Sequence, residues 1–162
     1  MKIKGSDDAM SLVKTNISCE VLDPKETESI IILTIHKLGE PDYLELCNVL
    51  YVLDALLTKE GKRLPFLRGS VSNERGVILR GLADAIECLY IEKKIDIKTR
   101  SEFYILSPNI QKKKVEYLKK EIERKISPKT FDSYMHMLDE IAEIRDRKQR
   151  LEKAVEYALK YL

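Results

Sequence analysis

The side chains that could ligate a metal, or serve as nucleophile, acid or base, are two histidines, three cysteines and a large set of carboxylates. His36 and His136 fall on separate predicted helices, with no Cys or His at ligand spacing, so the sequence offers no metal site of the usual kind. Cys19, Cys47 and Cys88 form no C-x-x-C pair; Cys47 and Cys88 lie on apolar helix faces and read as small core residues. The run Gly76-Val77-Ile78-Leu79-Arg80-Gly81 lacks the Lys-Ser/Thr of a phosphate-binding loop. Nearly all acids sit on ionic helical faces, where pairing with a base four residues away is the ordinary role. Acids converging from distant helices are the one catalytic arrangement the sequence leaves open. The expectation is a protein that is not an enzyme and uses no cofactor or metal.

Basic residues give the sharper signal. The whole chain has 29 basic and 27 acidic side chains for a net charge of +2, so bulk charge does not announce a nucleic-acid binder. Distribution says more: Lys59 to Arg80 holds six basic residues against two acidic ones. Lys62, Arg63 and Arg68 precede a predicted third helix capped by Ser70 or Ser72, and Asn73, Arg75 and Arg80 fall on its first two turns. A helix N-terminus favours phosphate, and Arg or Asn there can reach guanine or adenine edges. Against this, residues 23–108 carry twelve bases and fourteen acids, and Glu74, Asp84 and Glu87 lie on the same predicted helix. A second basic run opens the next helix at Lys112, Lys113 and Lys114 and continues through Lys119, Lys120, Arg124 and Lys125. Three consecutive lysines spread around a helix, so this run reads chiefly as a solvated face. The tyrosines recur at helical spacing and read as core or interface residues.

The elements that must position these residues follow from periodicity and punctuation. With 162 residues, 44% apolar and 35% charged, the chain suits one domain with an appendage. No apolar run approaches the roughly 18 residues a membrane span needs, the start lacks a signal-peptide pattern, and the odd, scattered cysteines fit a reducing compartment. A cytoplasmic location is expected. Residues 1–22 read as an N-terminal arm with a short strand near Ile17–Leu22. Asp23-Pro24 with Glu26 starts a helix that Gly39 stops. A second runs from Pro41-Asp42 to Gly61, and the third places Ile78, Leu82, Ile86 and Leu89 inward. The period then changes to two: Ile91, Ile95, Ile97, Phe103 and Ile105 predict a β-hairpin with Lys98 and Arg100 at its tip. Three helices and a hairpin over residues 23–107 give the order of a winged helix-turn-helix.

Ser107-Pro108 starts a fourth helix with Val115, Leu118, Ile122 and Ile126 on one stripe. After Ser127-Pro128 there is no Gly or Pro as far as Leu162, which predicts one helix of about 34 residues. Met137, Ile144, Leu151 and Ala158 occupy one heptad position. Tyr134, Ile141, Val155 and Leu162 occupy the other, with Lys148 as the polar intruder. Residues 108–162 therefore read as a C-terminal helical region in which those eight residues pair two copies of the chain.

The stretch from Leu46 to Leu106 resembles the winged-helix part of the Panacea and YwgA-like families. The residues that carry the likeness are Val49-Leu50-Tyr51-Val52-Leu53-Asp54, Gly61-Lys62-Arg63-Leu64, Phe66-Leu67-Arg68-Gly69-Ser70-Val71-Ser72 and Cys88-Leu89-Tyr90-Ile91-Glu92. Arg68-Gly69-Ser70 departs from the families' Tyr-Gly-Pro-type turn. The layout of winged helix plus C-terminal dimerising helix is also similar to PadR-like regulators, whose N-terminal pattern is absent here. The first likeness implies a partner in a toxin–antitoxin or phage-associated system, the second a ligand- or stress-responsive repressor.

The sequence thus predicts a mainly α protein, a winged helix followed by two C-terminal helices, the last long and coiled-coil-like. As a homodimer it would bind double-stranded DNA as a transcriptional regulator. Ser72, Asn73, Arg75 and Arg80 would meet the groove, while Lys62, Arg63, Arg68, Lys98 and Arg100 would hold phosphate. The alternative is a non-catalytic interaction module, antitoxin-like or an adaptor, with the long helix as its partner surface.

Overall fold

Asp23 begins the first helix as its spacing predicts. Its carboxylate accepts the Glu26 backbone N–H at 2.7 Å, and the Glu26 side chain accepts the Asp23 N–H at 3.0 Å. This reciprocal cap opens α1 (Pro24–Leu38), which Gly39 closes at φ 68°. The computed structural model describes residues 19–65, 71–73, 76–100 and 103–162. Among these it is mainly helical, and residues 1–18 of the expected arm lie outside them. After β1 (Glu20–Val21) and α1 come α2 (Tyr43–Thr58), β2 (Lys62–Arg63), β3 (Val71–Asn73) and β4 (Gly76–Ile78). Then follow α3 (Arg80–Ile91), β5 (Ile95–Arg100), β6 (Phe103–Pro108), α4 (Lys112–Lys125), α5 (Pro128–Ala142) and α6 (Arg147–Leu159). The strands form three pairs: β1 with β2 in parallel, β3 with β4 and β5 with β6 antiparallel.

One apolar core runs from Leu22 through Ala158. Helix α2 lies at its centre, with Leu46, Cys47, Val49, Leu50, Leu53 and Leu57 fully buried. Helices α4 and α5 pack on α1, and α6 packs on α2. No helix among the described residues is long and apolar enough to cross a membrane.

Three expectations are corrected. The third helix does not begin at Ser70 or Ser72. Ser72 and Asn73 lie in β3, opposite Val77 and Gly76 of β4, and the helix starts at Arg80. Ile78 is exposed at 42%, because it sits on the outer side of β4 and not on a helix. The hairpin also starts later than expected, since Tyr90 and Ile91 end α3 and are exposed.

The C-terminal helix is broken as well. Residues 143–146 separate α5 from α6, and Asp146 caps α6 by accepting the Gln149 N–H at 3.0 Å. The chain folds back, so the expected dimer seam is largely spent within the monomer. Tyr134, Met137, Ile141 and Ala158 are buried, Ile144, Leu151 and Val155 are half-buried, and only Leu162 of the eight is exposed. Tyr134 hydrogen-bonds Thr34 of α1 at 2.7 Å inside the core. Tyr134→Phe should therefore cost about 1 kcal/mol of unfolding free energy, measured by urea titration.

The turn between α4 and α5 is held by Glu60, in the turn just after α2. Its carboxylate accepts the Ser127 N–H at 3.2 Å, the Ser127 hydroxyl at 2.6 Å and the Thr130 hydroxyl. Burial opposes the charge, but these hydrogen bonds and Lys62 hold Glu60 below the usual carboxylate range.

Candidate nucleic-acid interface

The head of α3 is positioned by three side chains of α2 and its cap. Asn48, buried on α2, accepts the Val77 N–H at 3.0 Å and donates to the Leu44 carbonyl at 2.7 Å, which fastens β4 to α2. Tyr43 donates to the Leu79 carbonyl at 3.1 Å, one residue before the helix begins. Asp42 accepts the Leu44 N–H at 3.1 Å and the Tyr104 N–H at 3.2 Å, so one carboxylate caps α2 and ties it to β6. A bridge between Asp42 and Ile105, and the Leu106 N–H on the Pro41 carbonyl at 2.9 Å, complete that attachment. The sequence marks Pro41-Asp42 only as a helix start and Tyr43 only as a core or interface tyrosine, and it gives Asn48 no role. A polar Asn inside an otherwise apolar helical run was the available signal, because buried amides need partners.

Arg80 is the first residue of α3 and is exposed. Along the outer stripe of that helix it is followed by Asp84, Glu87 and Ile91, all exposed. Ser72 is exposed on β3, and Lys98 is exposed on β5, opposite Ile105. Arg68 and Arg75 lie outside the described residues, as do the side chains of Asn73 and Arg100.

Lys62 and Arg63 do not stand in a free basic loop. They form β2, with the Arg63 guanidinium 3.3 Å from Asp54 and the Lys62 ammonium on the Lys125 carbonyl at the end of α4. The buried Asp54 also accepts the Leu64 N–H at 2.8 Å; burial pushes its carboxyl up, while Leu64 and Arg63 pull it back. Both cations help tie β2 to α2 and α4, so the segment expected as a free basic loop is anchored to the helices.

The cysteines separate. Cys47 is buried in α2, where burial pushes its thiol up to about 11, whereas Cys88 is exposed on α3 and is not the core residue expected. His36 and His136 are exposed on different helices, the latter 3.0 Å from Glu140. Among the described residues, no group of three or more His, Cys, Asp and Glu is placed to hold a metal ion.

Beyond these contacts, the C-terminal end of α1 is gripped from α6. Arg150 donates to the Leu38 carbonyl at 2.5 Å and to Glu45 at 2.8 Å, while Arg147 donates to the Glu40 carbonyl at 2.8 Å. Arg150 and Glu45 are both buried, so this ion pair is part of the framework and not a surface.

No protein family matches the chain, and comparison with curated proteins and with solved structures finds no similar one.

Proposed function

We propose that the chain is a non-catalytic winged-helix protein that binds double-stranded DNA as a transcriptional regulator. The order of α1, the Pro41–Asp42 segment bridged to β6, α2, α3 and the β5–β6 hairpin supports this reading. Residues 59–79, with β2 and the β3–β4 hairpin, then stand where a shorter turn joins the second and third helices of such a domain.

The observation that carries the proposal is the state of Arg80 and Lys98. Both are exposed, one at the head of α3 and one on the hairpin, and neither has a carboxylate within ion-pair distance among the described residues. Ser72 supplies an exposed hydroxyl on the strand that precedes them. Homodimerisation stays within the proposal, but the buried seam leaves it to Leu159, Leu162 and surfaces outside the C-terminal helices.

Fluorescence anisotropy with a mixed-sequence duplex at low salt tests the assignment. The Arg80→Glu/Lys98→Glu variant should bind about tenfold more weakly or worse, since each removes a phosphate contact and adds a repulsion. Wild-type protein that shows no duplex affinity at low salt would overturn it.

A second reading has its own support. Asp84 and Glu87 make the middle of the outer α3 stripe acidic, and Tyr90 and Ile91 beyond them are 49% and 68% exposed. A helix with that face suits a protein partner better than a phosphate-lined groove. Unchanged duplex binding by the double variant would favour this reading.

A further inference from the structure

Helix α4 carries seven basic and three acidic side chains. Packing sorts them in a way the run of lysines conceals. Val115, Leu118 and Ile122 turn inward onto the core. Lys125 is held near that inner edge, 3.4 Å from Glu26, and its carbonyl accepts Lys62. On the opposite side, Lys113, Tyr117, Lys120 and Arg124 recur at steps of four, three and four residues, and all four are exposed. Those steps keep them in one line along the helix, about 16 Å from end to end. Glu116 lies four residues before Lys120, yet no ion pair engages Lys113, Lys120 or Arg124 among the described residues. Tyr117, 56% exposed, stands between the cations with its ring in solvent.

The geometry points to this ridge as a binding surface for single-stranded nucleic acid, with Lys113, Lys120 and Arg124 on phosphates and a base stacked on Tyr117. Charge complementarity selects a polyanion. The ring selects an unpaired strand, because a stacked duplex offers no free base face to an aromatic on a helix, whereas an unpaired base does. A fatty or phospholipid surface would need apolar side chains beside the cations to enter it, and the ridge has none besides the tyrosine. The inference is independent of the duplex reading, since it uses none of the residues at the head of α3 or on the hairpin.

The test is anisotropy of the full chain with a labelled single-stranded deoxythymidine oligonucleotide, alongside the mixed duplex and vesicles of phosphatidylcholine with phosphatidylserine. Tyr117→Ala should weaken single-strand binding about fivefold to a hundredfold, and Lys113→Glu/Lys120→Glu/Arg124→Glu should abolish it. Arg80→Glu/Lys98→Glu should leave single-strand binding within about twofold, while weakening only the duplex. Circular dichroism of each variant should match wild type, because every substituted side chain is exposed. An unaltered single-strand affinity in Tyr117→Ala, or tighter binding to the acidic vesicles than to the oligonucleotide, would overturn the inference. Tyr117→Phe should restore binding, which separates stacking from loss of a hydroxyl.

Discussion

Replacing Arg150 by Met should destabilise the protein by about 3–5 kcal/mol, the usual cost of stranding one member of a buried ion pair. Arg150 reaches Glu45 and the Leu38 carbonyl from α6, and neither acceptor has access to water in its place. For a chain of this length the loss corresponds to roughly 10 °C in the unfolding midpoint. The pH dependence gives a second signature. Burial already pushes Glu45 up from the ordinary carboxylate range, and Arg150 is the main influence pulling it back. Without Arg150 the folded state should take up a proton on Glu45 at a pH where the unfolded chain stays ionised. Stability linked to a raised carboxyl is present below the unfolded value and lost as pH rises through the folded one, so the deficit of Arg150→Met should shrink as pH falls and Glu45 becomes protonated in the folded state. The Arg150→Met/Glu45→Leu pair should recover most of the loss, since it buries no stranded charge. Urea titrations at several pH values check all three statements. An Arg150→Met variant within about 1 kcal/mol of wild type would show that the pair does not hold α6 to α1.

The second large effect is expected at Gly76. Its φ of 114° is a conformation L side chains rarely adopt, and a Cβ there would stand 2.7 Å from Asn48 Oδ1 and 2.9 Å from Val155 Cγ2. Gly76→Ala thus combines backbone strain of about 1–3 kcal/mol with a clash against two elements that flank β4. The loss should total about 3 kcal/mol or more, limited by release of the β3–β4 hairpin from α2. Hydrogen exchange at the Val77 amide, which Asn48 now accepts, should lose its protection. Because β4 leads within two residues to Arg80, the same substitution should also weaken duplex binding. Wild-type stability and an intact Val77 amide in Gly76→Ala would contradict this account of the hairpin.

Local signals were the legible part of the sequence. Asp23, Pro24, Glu26 and Gly39 define α1 by cap chemistry that acts within one turn, and the structure keeps every one of those roles. The head of α3 was harder because its determinants are tertiary. Ser70 and Ser72 resemble caps, and Ile78 extends the apolar period of Leu82 and Ile86. Residues far apart in sequence hold the segment as a hairpin: Asn48 accepts the Val77 N–H, and Asn48 and Val155 leave no room for a side chain at Gly76. The break in the C-terminal helix had a local sign that the missing Gly and Pro obscured. Asp146 with Gln149 three residues on is a cap pattern, and a capped start implies that the preceding helix has ended.

The candidate site divides in the same way. Arg80 and Lys98 were legible as basic residues and are exposed, but nothing local marked Lys62 and Arg63 as engaged. Their partners, Asp54 on α2 and the Lys125 carbonyl on α4, come from other elements. The ridge on α4 was hidden by its own composition. Lys112 to Lys114 spread charge around the helix, and only the burial of Val115, Leu118 and Ile122 separates the outward line that contains Tyr117.

The most direct test of duplex binding is its salt dependence. The logarithm of wild-type affinity for a mixed-sequence duplex should fall linearly with the logarithm of salt concentration, by about 0.9 for each phosphate neutralised. In Arg80→Glu/Lys98→Glu that slope should become shallower by about two units, because two cations no longer displace counterions. A duplex affinity that is flat with salt, or a slope identical in the two proteins, would remove Arg80 and Lys98 from the interface and with them the case for a DNA-binding protein.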